Sequence, residues 1–564
     1  EQLMKKDIPM LQEALGIKFN PVLAKGRQNY LCRRRLTGFM QMQENLFKGT
    51  GHEELLSRLS RWALASECGS KSDMPENVPA EVWRQVESDA LHCGGKKCRH
   101  YSACFFYRDR KRAEAADILI VNHSLLFSDL AMREKEKKVI PDFDFVILDE
   151  AQHAERAASD HFGASVSGSR VRMLLNYLWK QETASGFLNY YADTATINLV
   201  QKLHLEFGTF FGELADKMEN TGKPQAQVNR RNALPLTLEE PLVMMIEALQ
   251  QLKDAVKSEE AAIDAESYSR EFSGIHNGLS AVLLQEKPDF VYWAEMRKGR
   301  TRNVTLHATP LNVAELLHDR FFEKRKSVVM TSATLSVSGK FDFIKSKLGV
   351  SKCRTLLLGS PYDYKKQVKI YIPKKMPHPK HEEEKYVDAV IDNVRKYVKM
   401  SGGKAFVLFT SHKMLGKVHD ALAPYFEGLG ITSFRQTADS DRHSMLEEFK
   451  NDVNSVLFGT ASFWEGVDVP GESLSNIIIT RLPFEVPEGP VAEAKQKYLE
   501  KKGKNAFSDH SLPEAVLKLK QGFGRLIRSK TDKGIVVLLD NRVLTMPYGR
   551  AFIESLPQCE VIVE

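Results

Sequence analysis

The stretch Phe145-Val146-Ile147-Leu148-Asp149-Glu150-Ala151-Gln152-His153 joins four apolar residues to two adjacent acids. A short unbroken apolar run of this kind predicts a strand buried on both faces, as in a parallel sheet. Six further runs follow the same plan, at 117–124, 327–335, 404–411, 455–460, 475–483 and 533–542, and helix-length intervals separate them. The class expected is α/β. In such sheets functional groups gather beyond the carboxyl ends of the strands. Those ends carry Asn122-His123, Asp149-Glu150, Ser332-Ala333-Thr334 and Asp540-Asn541-Arg542.

The 564 residues, 43% hydrophobic and 27% charged, have the composition of a folded globular protein with room for several domains. No apolar run approaches the roughly 18 residues that a membrane-spanning helix needs. The first residues also lack the charged-then-apolar order of a secretory signal, so a cytoplasmic protein is expected. The net charge of +7 favours phosphate-bearing partners without proving one. Seven cysteines, an odd number in a chain with no export signal, argue against a disulfide framework. Cys32, Cys68, Cys93, Cys98 and Cys104 crowd the first 104 residues.

Between 154 and about 300 the texture changes. Leu199, Val200, Leu203, Phe207, Phe210, Phe211 and Leu214 recur at three to four residues, which predicts a helical insert. Gly222, Pro224, Asn229, Asn232 and Pro235 predict a loop over 221–235.

A nucleotide-hydrolysing site needs one carboxylate to hold Mg²⁺ and another to orient water, which Asp149 and Glu150 can supply. By themselves they are equally a polar strand end. Ser332-Ala333-Thr334-Leu335 ends another strand. Gln521-x-x-Gly524-Arg525-x-x-Arg528 is expected to set two arginines on one helix face, where they could stabilise γ-phosphate charge or serve as surface ion-pair partners. Cys93-x4-Cys98-x5-Cys104, with Cys32 upstream, supplies four thiolates, and the spacing alone is open between an iron–sulfur cluster and zinc. Arg33, Arg34, Arg35, Lys96, Lys97, Arg99, Arg108, Arg110, Lys111 and Arg112 flank them, with Tyr101, Phe105, Phe106 and Tyr107 between. Basic groups neutralise phosphates and aromatic faces stack bases, although the same aromatics could pack a small domain.

Taken in order, these motifs resemble those of the superfamily 2 helicases, and within them the XPD/DinG-like iron–sulfur DNA helicases. Asp149-Glu150-Ala151-Gln152 is similar to the DEAH box, and 332–335 to motif III. The segment 406–415 is similar to motif IV, 459–468 to motif V and 521–528 to motif VI. The resemblance implies two RecA-like parallel-sheet domains with an iron–sulfur insert and a helical Arch-like insert in the first. Domain 1 would comprise 1–30, 113–160 and 301–352, with the cluster insert at 31–112, the Arch-like insert at 161–300 and domain 2 at 353–564. It also implies an ATP-dependent helicase of DNA repair or replication that unwinds DNA by moving 5′ to 3′ on a single strand, with single-stranded DNA, forks or junctions as partners, monomeric and away from membranes.

Carried over residue by residue, the catalytic set is Asp149, Glu150, Gln521, Arg525 and Arg528, and the cofactor-binding set is Gly459, Glu465, Gly466, Asp468 and Gly524. Cys32, Cys93, Cys98 and Cys104 would hold a 4Fe-4S cluster, with Mg²⁺ and ATP at the acids. Two positions depart from the pattern. Gln152 stands where His is usual, and no G-x-x-x-x-G-K-[ST] phosphate loop occurs. Because Glu1-Gln2-Leu3 is similar to the end of a segment that follows that loop, an N-terminal truncation is expected. The rival is a chain that naturally lacks the loop and binds DNA or protein without hydrolysing ATP.

Overall fold

The computed structural model spans residues 1–564 and describes all of them except 1, 47–52, 75–77, 91–92, 135–136, 229–230, 232–234, 298–301, 438–439, 441, 465–472 and 486–488. Two compact units form. One contains 1–146, 153–327 and 488–494, the other 147–152, 328–487 and 495–564.

The strands are β1 (Pro21–Leu23), β2 (Ile118–Ile120), β3 (Phe145–Asp149), β4 (Ala164–Ser167), β5 (Gln225–Gln227), β6 (Phe290–Arg297), β7 (Asn303–Pro310), β8 (Ser327–Thr331), β9 (Val368–Ile372), β10 (Ala405–Leu408), β11 (Thr432–Arg435), β12 (Ser455–Gly459), β13 (Asn476–Ile479), β14 (Gly534–Leu538) and β15 (Glu560–Val563). Each of the seven apolar runs contains one, as β2, β3, β8, β10, β12, β13 and β14.

The first unit holds α1 (Arg33–Leu46), α2 (Phe105–Glu114), α3 (Thr194–Thr221), α4 (Leu236–Ala255) and α5 (Glu259–Leu284). β1 and β2 pair in parallel. The helices expected between 154 and about 300 are present as α3 to α5, around Phe207, Phe211, Leu242, Phe272 and Leu279. It also contains an antiparallel sheet, β4-β7-β6-β5, that the helical expectation did not include. β5 lies within the segment expected to be a loop. In β7 burial alternates strictly, with Val304, Leu306, Ala308 and Pro310 turned inward, because one face of the sheet covers the helices.

The second unit is built on seven strands in the order β11-β12-β10-β13-β14-β9-β15, parallel at every pairing. β10, β12 and β13 are buried along their whole length, as unbroken apolar runs predict. Phe406, Leu408, Leu457 and Ile477 feed one face of the core, and Val407, Phe458, Ile478 and Val537 the other. Its helices include α6 (His412–Glu427) and α7 (Leu512–Phe523). Tyr386, fully buried, sets its hydroxyl against the carbonyls of Thr480 and Leu539 just past β13 and β14. Tyr386→Phe strips those carbonyls of a donor and is expected to cost about 1–3 kcal/mol in a denaturant titration.

β3 and β8 form a separate pair. Here the expectation of burial on both faces fails: Leu148 is buried, whereas Phe145, Ile147 and Val329 are 71%, 74% and 53% exposed. Among the described residues no helix is long and apolar enough to cross a membrane.

Candidate functional site

At the end of β3 the chain leaves Asp149 and turns through Glu150, whose φ of +48° lies in the left-handed region. Two donors meet its carboxylate oxygen Oε2, the Gln152 amide at 2.8 Å and the Ser332 hydroxyl at 2.8 Å. Ser332 Oγ in turn accepts the Thr334 backbone N–H at 3.0 Å and lies 3.3 Å from Thr334 Oγ1. The Gln521 amide, on α7, donates to Thr334 Oγ1 at 3.4 Å. A continuous polar chain thus links Gln521, Thr334, Ser332, Glu150 and Gln152, all in the second unit. Gln152, a departure from the expected box, holds the carboxylate. Its amide stays uncharged at every pH, whereas an imidazole gains a positive charge on protonation.

The two arginines do not share a helix face. α7 ends at Phe523, Gly524 caps it by donating to the Lys520 carbonyl at 2.9 Å, and Arg525 and Arg528 follow in the turn beyond. The helix stops at Phe523, before either arginine, so the spacing argument does not apply to them. Arg525 donates to the Trp464 carbonyl at 3.3 Å. Arg528 is exposed, and its backbone is pinned by Asp532 Oδ2 at 2.7 Å and by the Tyr362 hydroxyl at 2.9 Å. Lys520, which the motif reading passed over, reaches the Ser336 carbonyl at 2.9 Å, and burial lowers its pKa. Gly459 ends β12 where an added Cβ would lie 2.8 Å from the Phe463 ring, so close packing explains the residue. Glu465, Gly466 and Asp468 lie outside the described residues.

The cysteine group belongs to the first unit. Cys32 immediately precedes α1 and Cys104 stands at the N-cap of α2, so both thiols lie at helix amino ends. Burial pushes the Cys32 thiol up to about 11 and raises that of Cys104. Burial also acts on Cys93, but the Arg27 guanidinium and the Gly95 amide outweigh it and bring the thiol below its ordinary range. Cys104 is in electrostatic contact with Cys32, Cys93 and Cys98. Among the described residues no group of three or more His, Cys, Asp or Glu is disposed to hold a metal ion. A thiolate-bound cluster would take its ligands from the five thiols of this segment, of which Cys32, Cys93, Cys98 and Cys104 are half-buried. Cys68 is exposed.

Phe105 and Phe106 are 1% and 6% exposed and pack the insert with Tyr30, Leu36, Leu59 and Trp83. They therefore offer no face to a base. Guanidiniums lie over them instead, Arg33 and Arg108 at 4.7 and 5.2 Å from the Phe105 ring and Arg27 and Arg110 at 3.8 and 4.9 Å from that of Phe106. Arg34 is bound to Asp264 at 2.6 Å, and Lys97 and Arg99 face Glu259 and Glu260 at 3.9 and 3.6 Å.

Parallel sheets and this arrangement of strand ends define an α/β protein with the fold of the XPD helicases. A solved XPD helicase superimposes with a TM-score of 0.58 at 13% identity, over 98% of this chain and 89% of that one. The model of the helicase C-terminal domain matches residues 394–559. The "ATP-dependent DNA helicase YoaA" of Escherichia coli (strain K12) is 31% identical over 566 residues, 99% of this chain and 85% of that protein. The "3'-5' exonuclease DinG" of Bacillus subtilis (strain 168) is 31% identical over 612 residues, and the chain spans 64% of its length. The chain belongs to the DinG/YoaA helicase family.

Proposed function

We propose that the chain is the motor of an ATP-dependent DNA helicase of DNA repair or replication, moving 5′ to 3′ on a single strand as a cytoplasmic monomer. The observation that carries this reading is the polar chain from Gln521 to Gln152, which joins three motifs through one carboxylate. In this reading Glu150 orients the attacking water, Asp149 is the carboxylate for Mg²⁺, and Arg525 and Arg528 stabilise charge on the γ-phosphate. Glu465 and Asp468 couple hydrolysis to DNA. Cys32, Cys93, Cys98 and Cys104 hold a 4Fe-4S cluster, which supplies a rigid covalent brace for the insert. Family membership supports the reading, since its relatives are named ATP-dependent DNA helicases.

The test is strand displacement by a form of the chain that carries a phosphate loop. Unwinding from a 5′ overhang is expected, and unwinding from a 3′ overhang alone would overturn the polarity. The 564-residue chain should itself prefer single strands to blunt duplex. Its log affinity should fall against log salt with a slope of about −0.7 per phosphate contacted, and a flat salt dependence would overturn binding through the basic residues that flank the cysteines. DNA binding with no hydrolysis in the loop-bearing form would favour the binding-module reading.

A further inference from the structure

Three neighbouring strands of the second unit, β10, β12 and β11, each place one polar side chain just past the carboxyl end. His412 opens α6 after β10, Thr460 follows β12, and Gln436 follows β11. The three form one hydrogen-bonded relay. Gln436 Oε1 accepts the Thr460 backbone N–H at 2.7 Å and the Thr460 hydroxyl at 3.0 Å, and His412 Nε2 lies 3.2 Å from that hydroxyl. Since the hydroxyl proton goes to Gln436, its oxygen is left to accept from His412. Thr460 is 7% exposed, so a buried amide and a buried hydroxyl both depend on one acceptor. Gln436 is itself held in register by its backbone N–H, which donates to the Phe458 carbonyl at 3.0 Å.

His412 and Thr460 fall in the segments similar to motifs IV and V, whereas Gln436 falls in none. We infer that Gln436 is a positioning residue that locks the start of the segment after β12 to the start of α6, so that both strand ends meet a single-stranded DNA backbone as one surface. The inference rests on the helicase reading above. Strand ends of parallel sheets are where ligands are bound, and a loop fixed before binding loses less freedom when it binds.

The test uses the 564-residue chain and a fluorescein-labelled single-stranded oligodeoxythymidylate. Gln436→Met keeps the length and bulk of the side chain and removes the acceptor. It is expected to weaken DNA binding by a factor on the order of ten, mostly through faster dissociation, to speed exchange of the Thr460 amide, and also to lower the thermal midpoint, since two buried donors lose their acceptor. A glutamine that merely packs would move the midpoint and spare the affinity. Should Gln436→Met misfold, Gln436→Asn withdraws the acceptor by one methylene and carries the same expectation. Wild-type binding with unchanged binding by these variants overturns this inference alone. Failure of the wild-type chain to bind any single strand removes the helicase reading and this inference with it.

Discussion

ATP turnover by the 564-residue chain is expected to stay at background even with saturating single-stranded DNA. Joining a G-x-x-x-x-G-K-[ST] strand–loop–helix ahead of residue 1 should raise it by a factor on the order of 10³ or more. The physical reason is that phosphoryl transfer is catalysed by positioning and charge, and the triphosphate is cradled by the amides and lysine of that loop. Ser332 donates to Glu150 and Gln521 to Thr334, so the Glu150 carboxylate is already arranged, whereas the 564 residues contain no G-x-x-x-x-G-K-[ST] loop to cradle the triphosphate. In the active form Arg528→Ala should then lower turnover by a factor on the order of 10³ and spare DNA affinity. Parallel loss of DNA binding would assign Arg528 to the DNA path, and vigorous hydrolysis by the 564-residue chain would remove the argument from the loop.

Loss of iron is the second large effect. Cys32→Ser, Cys93→Ser, Cys98→Ser and Cys104→Ser should each lose the brown chromophore and most of the iron after anaerobic purification, whereas Cys68→Ser should keep both. A hydroxyl is a poorer ligand than a thiolate, and an insert that folds around its metal becomes open to protease when the metal leaves. Exposure sets Cys68 apart, and electrostatic contacts join Cys104 to the other three, Cys32, Cys93 and Cys98. Stoichiometric zinc without iron refutes the cluster, and metal loss in Cys68→Ser refutes the ligand set.

In the parallel sheet of the second unit β10, β12, β13 and β14 were legible because they are largely buried and read as unbroken runs, such as Ile477 to Ile479, whereas the more exposed β9, β11 and β15 fell in none of the expected runs. β6 and β7 were not legible, because their alternating pattern sits among long helices and names no partner. Phe105 and Phe106 show a different limit. Sequence counts aromatics and arginines together but does not say which way a ring turns, and here the rings turned inward and drew the guanidiniums after them. The acids and Ser332 were visible as strand-end residues, yet their bonding was not. Gln436 was invisible because its meaning arises across 24 residues, in the pairing of β11 with β12.

The backbone at Glu150 sets foldability and chemistry against each other at one codon. A φ of +48° suits glycine or asparagine better than glutamate, by roughly 1 kcal/mol. A library scored only for soluble abundance should therefore tolerate or enrich Glu150→Gly and Glu150→Asn. Scored for DNA-stimulated ATP turnover in the loop-bearing form, the same library should lose both. Position 150 is where the two selections would diverge most, and the divergence itself would mark the residue as kept for what it does and not for how the chain folds.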